Sequence, residues 1–207
     1  QKLLFNVGSV IHIYKINLSP NLSFLRRKSR LILWFHKIFV ILLSDFFKME
    51  KELRIKFSQI ERNELSDIEK TLHEAAINAR KNAYAPYSHF NVGCAVLLEN
   101  GEIVTGNNQE NAAYPSGLCA ERVTVFNIGA NYPNVKIKKL YVIGGPSREE
   151  TFTTPTPPCG ACRQSLLEYE TKQNEPIEIY FSGIDGAVYK CDSIKDLLPF
   201  SFDASFL

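Results

Sequence analysis

Cys119-Ala120-Glu121-Arg122 and, forty residues on, Pro158-Cys159-Gly160-Ala161-Cys162-Arg163-Gln164 are the stretches around which the chain is organised. Cys159 and Cys162 form a C-x-x-C pair, a spacing that lets two thiolates turn onto one metal ion. Cys119 supplies a third sulfur from elsewhere in the chain. Three protein ligands leave the fourth tetrahedral position of zinc open, and that separates a catalytic site from a closed structural one. Glu121 stands two residues from its nearest cysteine, within reach of a water at the open position without being consumed as a ligand. Three thiolates over-neutralise a dication and blunt its acidity. Arg122, directly after Glu121, is placed to offset that by donating to sulfur, and Arg163 after Cys162 is placed likewise.

Outward from these motifs, helix and strand signals alternate. Residues 120–130 read as a helix, which puts Cys119 near an amino terminus where free N–H groups and the helix dipole favour a thiolate. A second helix runs over 160–170 and buries Leu166 and Leu167. Upstream, Ser66 and Glu69 fit a capping box. Behind them Ile68, Leu72, Ala75, Ala76 and Ala79 recur at helical spacing over 67–83, and Pro86 stops any continuation. Cys94-Ala95-Val96-Leu97-Leu98 is an apolar run suited to a strand buried on both faces, and Asn100-Gly101 turns it into a return strand over 102–107. Strands over 137–145, 177–182 and 187–191 make five, and a short helix spans 193–198 before Pro199. Residues 51–63 read as an irregular lead-in. The pattern implies an α/β fold in which a five-stranded mixed sheet lies between helical layers.

The 207 residues suggest one domain, or one plus an extension. Five cysteines, an odd number with three already in a metal pattern, do not read as a disulfide framework. Thiolate ligands need a reducing, cytosol-like compartment. Residues 1–48 hold eight Lys or Arg and one acid, Asp45, for +7; the remaining sixteen basic and twenty-one acidic residues give −5, so the chain is +2. A mildly acidic domain lacks the basic footprint that nucleic-acid phosphates require. The only methionine is Met49. The division expected is therefore a folded domain over 49–207 and a disordered extension over 1–48. That extension is either non-native, from a reading begun upstream of Met49, or a basic, acid-poor targeting segment. A third reading is a membrane anchor: Arg26-Arg27-Lys28-Ser29-Arg30 precedes an apolar run over 31–47, interrupted by His36, Lys37 and Asp45. No membrane partner is expected for 49–207.

C-A-E-R followed by P-C-G-A-C-R-Q resembles the cytidine deaminase family of nucleoside salvage enzymes in its three-cysteine form, over about residues 66–202. The resemblance implies a three-layer α/β/α sandwich with zinc on Cys119, Cys159 and Cys162. It implies Glu121 as the proton carrier in hydrolysis of cytidine and deoxycytidine to uridine, deoxyuridine and ammonia. Gly106-Asn107-Asn108-Gln109-Glu110-Asn111-Ala112 is similar to the family's G-x-N-x-E-N-A, which implies Asn108 and Glu110 as ligands of the sugar hydroxyl. A carboxylate there accepts a hydroxyl hydrogen bond but repels a phosphate, so a nucleoside is favoured over a nucleotide. The match to Y-S-x-F-x-V-G implies Phe90 against the base, with the Ala120 N–H and the Cys159 carbonyl at its polar edge. Leu197-Leu198-Pro199-Phe200-Ser201-Phe202 resembles L-L-P-x-x-F, whose phenylalanine in tetrameric members reaches a neighbouring subunit's site; this implies Phe202 and a homotetramer. A cytoplasmic location follows, unless residues 1–48 direct the chain to an organelle.

Other readings stand beside this one. The same scaffold and cysteines would serve a deaminase of an aminonucleoside antibiotic such as blasticidin S. Deaminases of nucleotides or nucleic-acid bases usually present His at the Cys119 position. A non-catalytic zinc module would need a fourth protein ligand, for which Cys94 or Cys191 are the candidates, although both also read as small core residues. Phe90 and Phe202 could be ordinary core aromatics, and Asn108 and Glu110 plain loop polarity. His73 and His89 read as surface or packing residues and are assigned no metal.

Overall fold

The computed structural model describes residues 51–207 and, before them, the backbone of two strands. These are β1 (Leu3–Val7) and β2 (Val10–Tyr14), an antiparallel pair with Leu3 opposite Tyr14 and Val7 opposite Val10. The rest of the expected 1–48 extension, including the basic flank and apolar run of 26–47, lies outside the described residues. The chain divides into two compact units, Gln1–Leu53 and Arg54–Leu207.

The second unit is built on one mixed sheet. Its strands are β3 (Ser58–Ile60), β4 (Phe90–Leu98), β5 (Ile103–Asn107), β6 (Ile137–Pro146), β7 (Glu178–Ser182) and β8 (Val188–Cys191), in the order β3-β8-β7-β6-β4-β5. Only β6 and β7 run parallel, with Leu140 opposite Ile179 and Val142 opposite Phe181. The other neighbours are antiparallel. Six strands thus replace the five expected. The addition is β3, whose Ser58, Gln59 and Ile60 pair with Lys190, Tyr189 and Val188 while Phe57 stacks on Tyr189 at 5.4 Å. Three mostly polar residues carry no strand period of their own; the exposed edge of β8 makes them a strand.

Alternation along the central strands sorts their side chains onto two buried faces. Cys94, Val96, Leu98, Leu140, Val142, Ile179 and Phe181 pack on one face with Leu166 and Leu167. Ala95, Tyr141, Ile143 and Tyr180 pack on the other with Leu72 and Ala76. The first face is covered by α2 (Ala120–Asn131) and α3 (Gly160–Gln173), the second by α1 (Asp67–Arg80). This is the three-layer α/β/α sandwich expected, and it explains why these strands read as unbroken apolar runs. Helix α1 lies very close to β4: a Cβ on Gly93 would sit 2.0 Å from the Ala76 carbonyl oxygen, so only glycine permits that approach. The carboxy-terminal helix expected over 193–198 is a single 3-10 turn, Ile194–Leu197, cut short by Pro199. Among the described residues, no helix is long and apolar enough to cross a membrane.

The predicted capping box forms: Ser66 and Glu69 satisfy each other's backbone N–H at the start of α1. Glu69 also accepts from Lys139 Nζ at 2.8 Å and from the Tyr180 hydroxyl at 2.5 Å. Burial alone would raise the Glu69 carboxyl, but these hydrogen bonds outweigh it and hold its pKa at about 2. Its folded pKa is thus below that of the unfolded chain. The stability it contributes is complete above about pH 4.5 and drains away as pH falls towards 2. Urea unfolding of the wild type is therefore expected to weaken across that window, and Glu69→Gln to flatten that part of the profile. Equal acid sensitivity in the two proteins would show that this cluster does not report on folding.

Candidate metal centre and substrate cleft

Cys119 is the N-cap of α2 and Cys159 the N-cap of α3, with Cys162 in the first turn of α3. Two helix amino termini therefore meet, and all three sulfurs lie where backbone N–H groups and dipoles favour negative charge. Cys119 Sγ is 3.7 Å from Cys159 Sγ, which is 3.4 Å from Cys162 Sγ, and all three lie within 4.8 Å of one another. These separations are far beyond the roughly 2.05 Å of a disulfide. They match the edge of a tetrahedron with zinc–sulfur bonds of about 2.3 Å, which is about 3.8 Å. The residues fit a zinc ion. Among the described residues no fourth Cys, His, Asp or Glu joins the cluster. Cys94 and Cys191 are buried core residues of the sheet, not part of it.

Arg122 Nη2 donates to Cys119 Sγ at 3.7 Å, as its position after Glu121 suggested. Hydrogen bonding from Cys162, aided by Arg122, pulls the Cys119 thiol down to about 5, and the same contact with Cys119 pushes Cys162 up. Arg163 departs from expectation. Its guanidinium does not turn to sulfur but donates from Nε to Pro158 O at 2.8 Å and from Nη1 to Leu197 O at 2.9 Å.

Glu121 is almost completely buried in the first turn of α2. Burial, with the charge of Cys119, raises its carboxyl to about 7. It faces β4, where burial and the Glu121 charge push the Cys94 thiol up. The helix can approach that strand pair because β5 offers Gly106: a Cβ there would meet Thr124 Oγ1 at 2.4 Å. Thr124 in turn donates to Ala120 O at 2.8 Å.

A cleft of about 400 Å³ runs from Tyr87 and Glu110 to Cys119 and Arg122. Asn108 and Glu110 both line it. Glu110 Oε2 accepts from the backbone N–H groups of Tyr87 and Ser88 at 3.0 and 3.2 Å. Asn108 is buried; it accepts from Val92 N at 2.8 Å and donates to Phe90 O at 2.9 Å. It therefore fixes the start of β4, and one donor and one acceptor site of its amide remain. Phe90 is half-buried outside the cleft lining, edge-on to Phe152 at 5.8 Å. Ala120 is buried at the start of α2. Phe202 is exposed and stacks on Phe206 at 5.3 Å, away from the cleft of its own chain. Tyr87, Ser88 and Tyr114 line the cleft without having been singled out. Their signal was the polar, proline-punctuated context of Tyr84-Ala85-Pro86-Tyr87-Ser88 and Tyr114-Pro115-Ser116-Gly117.

Residues 66–174 match the family model of the cytidine and deoxycytidylate deaminase zinc-binding region. The chain belongs to this family. It is 35% identical over 133 residues to a cytidine deaminase of Halalkalibacterium halodurans, covering 64% of this chain and 92% of that one. A cytidine deaminase of Sporosarcina psychrophila is 36% identical over 136 residues, covering 66% and 91%. Among solved structures, the cytidine deaminase of Burkholderia pseudomallei superposes with a TM-score of 0.55 at 38% identity, covering 64% of this chain and 98% of that one. The family's metal is zinc, and the cysteine triad is the donor set that fits it.

Proposed function

We propose that the chain deaminates cytidine and deoxycytidine hydrolytically, releasing ammonia and leaving uridine and deoxyuridine, as a pyrimidine-salvage enzyme. One observation carries the reading: a single cleft runs from the Glu110 carboxylate to Cys119 of the cysteine cluster, beside which Glu121 is buried. Cys119, Cys159 and Cys162 would hold zinc, which when bound supplies the Lewis acidity that makes water a nucleophile near neutral pH. Glu121 accepts a proton from the attacking water. It delivers that proton to N3 as the water oxygen bonds to C4; it then takes the remaining proton from the C4 hydroxyl and gives it to the amine, so that the C4–N bond breaks, ammonia leaves and a C4 carbonyl remains. Arg122 holds charge on Cys119 in check. Asn108 and Glu110 take the sugar, and the Ala120 N–H and Cys159 carbonyl the base's polar edge; the resemblance adds Phe90 against the base, although its ring packs on Phe152 outside the cleft lining.

The chain acts in this reading as a cytoplasmic homotetramer with 49–207 as its catalytic domain. Support for assembly comes from the apolar surface that the single chain leaves open: Phe126 on α2, and Phe200, Phe202 and Phe206 in the tail. A monomer by light scattering would exclude that assembly.

The test is the loss of cytidine absorbance with purified zinc-loaded protein. Cytidine is expected to be consumed, and its 5′-monophosphate to be a poor substrate. Glu110→Gln is expected to raise KM for cytidine about 10-fold, the cost of one charge-assisted hydrogen bond. It should also narrow the discrimination against the monophosphate. An untouched cytidine band would overturn the substrate assignment.

A further inference from the structure

We propose that Arg163 and Gln164 are positioning residues that clamp the carboxy-terminal strap, residues 197–202, to the metal-ligand turn of α3 and so fix where Phe202 sits. The effect on catalysis rests on the deaminase reading and the homotetramer above, in which Phe202 reaches a neighbouring subunit's cleft; the clamp itself rests on geometry. Arg163 and Gln164 directly follow Cys162. The half-buried Arg163 guanidinium spans two carbonyls: Pro158 O, immediately before Cys159, and Leu197 O at the start of the strap. Gln164 Nε2 then donates to Phe202 O at 2.9 Å, at the far end of the strap.

Between these two anchors lies Phe200, whose φ of 57° places it in the left-handed region. A bulky non-glycine residue is strained there and stays only where its surroundings over-determine it. Its own side chain is 97% exposed, so packing within the chain does not hold it. The hydrogen bonds on either side do. The backbone reverses at Phe200, and Phe202 emerges stacked on Phe206 just before a closing turn, in which Asp203 accepts from Ser205 N at 2.9 Å. The same helical turn thus carries two metal-ligand candidates and both strap anchors. A displacement of the Cys159–Cys162 turn moves the strap with it. Arg163 suits this work because its planar fork reaches two carbonyls in fixed directions, which a lysine ammonium does not.

Two measurements on full-length, zinc-loaded protein decide this. The first is hydrogen–deuterium exchange over residues 197–207, read by mass spectrometry, in the wild type, Gln164→Ala and Arg163→Lys. Gln164 is exposed, so its variant should fold normally. Faster exchange of this segment in both variants is expected, and unchanged exchange in Gln164→Ala overturns the clamp. The second is cytidine kinetics of Gln164→Ala, Phe202→Ala and the double variant. Gln164→Ala should raise KM about 3- to 10-fold, the scale of one hydrogen bond, with kcat and zinc content near wild type. In the Phe202→Ala background Gln164→Ala should add nothing, because it acts through that ring. Multiplying effects in the double variant overturn the positioning role. A wild type that leaves cytidine untouched overturns the deaminase reading instead, and exchange alone then decides the clamp.

Discussion

Glu121→Gln is expected to lower kcat for cytidine by about 10²–10⁴-fold, the range that positioned proton transfer supplies. KM should change little and zinc content not at all. The reasoning is geometric. Glu121 lies two residues from Cys119 in the first turn of α2, buried, and it is not one of the three clustered donors. Glutamine has the same volume and the same buried seat, so packing against β4 survives. What it lacks is the ability to take a proton from water and return it to N3 and the amine. Burying an ionised carboxylate costs more than burying a neutral amide, so the melting temperature of the variant should equal or exceed that of the wild type. A stable, inactive, zinc-replete protein is the signature sought. Retained turnover with normal zinc would remove Glu121 from the mechanism.

Much of this centre was legible because its chemistry restricts residue types. Few residue types can hold such an ion, here three cysteines at set spacing, and helices that begin at Cys119 and Cys159 give the sulfurs their common corner. The capping box at Ser66 and the Asn100-Gly101 turn were equally readable, since each is a local contest between backbone and side-chain hydrogen bonds. Features decided by remote partners were not. Strand β3 exists because β8 offers Ser58–Ile60 an edge. Arg163 looked like a sulfur donor, yet its partner Leu197 O is 34 residues away. Helix α1 stops at Arg80, short of residue 83, where that guanidinium turns to the carbonyls of Asn91, Gly145 and Pro146. The longer reach of α3, to Gln173, was readable in principle: Asn174 adopts the left-handed cap conformation that asparagine tolerates.

Cys162→Ala is expected to abolish both bound zinc and measurable activity, while Cys94→Ala and Cys191→Ala keep both. Cys162 is fully buried, 3.4 Å from Cys159 Sγ, and among the described residues no further Cys, His, Asp or Glu joins the cluster to replace it. Two remaining thiolates cannot hold the ion as three do. Because zinc binds only the folded arrangement, its loss also appears as stability. A site saturated a thousandfold over its Kd stabilises by about 4 kcal/mol. A strong chelator should therefore lower the melting temperature of the wild type and of Cys94→Ala, and leave that of Cys162→Ala unchanged. Cys94 and Cys191 lie in the core, where removing a sulfur costs packing but no ligand. This contrast also weighs the closed four-ligand alternative. If Cys94→Ala or Cys191→Ala lost zinc, a fourth protein thiolate would occupy the position that catalysis needs open, and the chain would be a zinc-stabilised module instead of an enzyme. If only Cys119, Cys159 and Cys162 matter for zinc, the open position remains next to Glu121, where hydrolysis requires it.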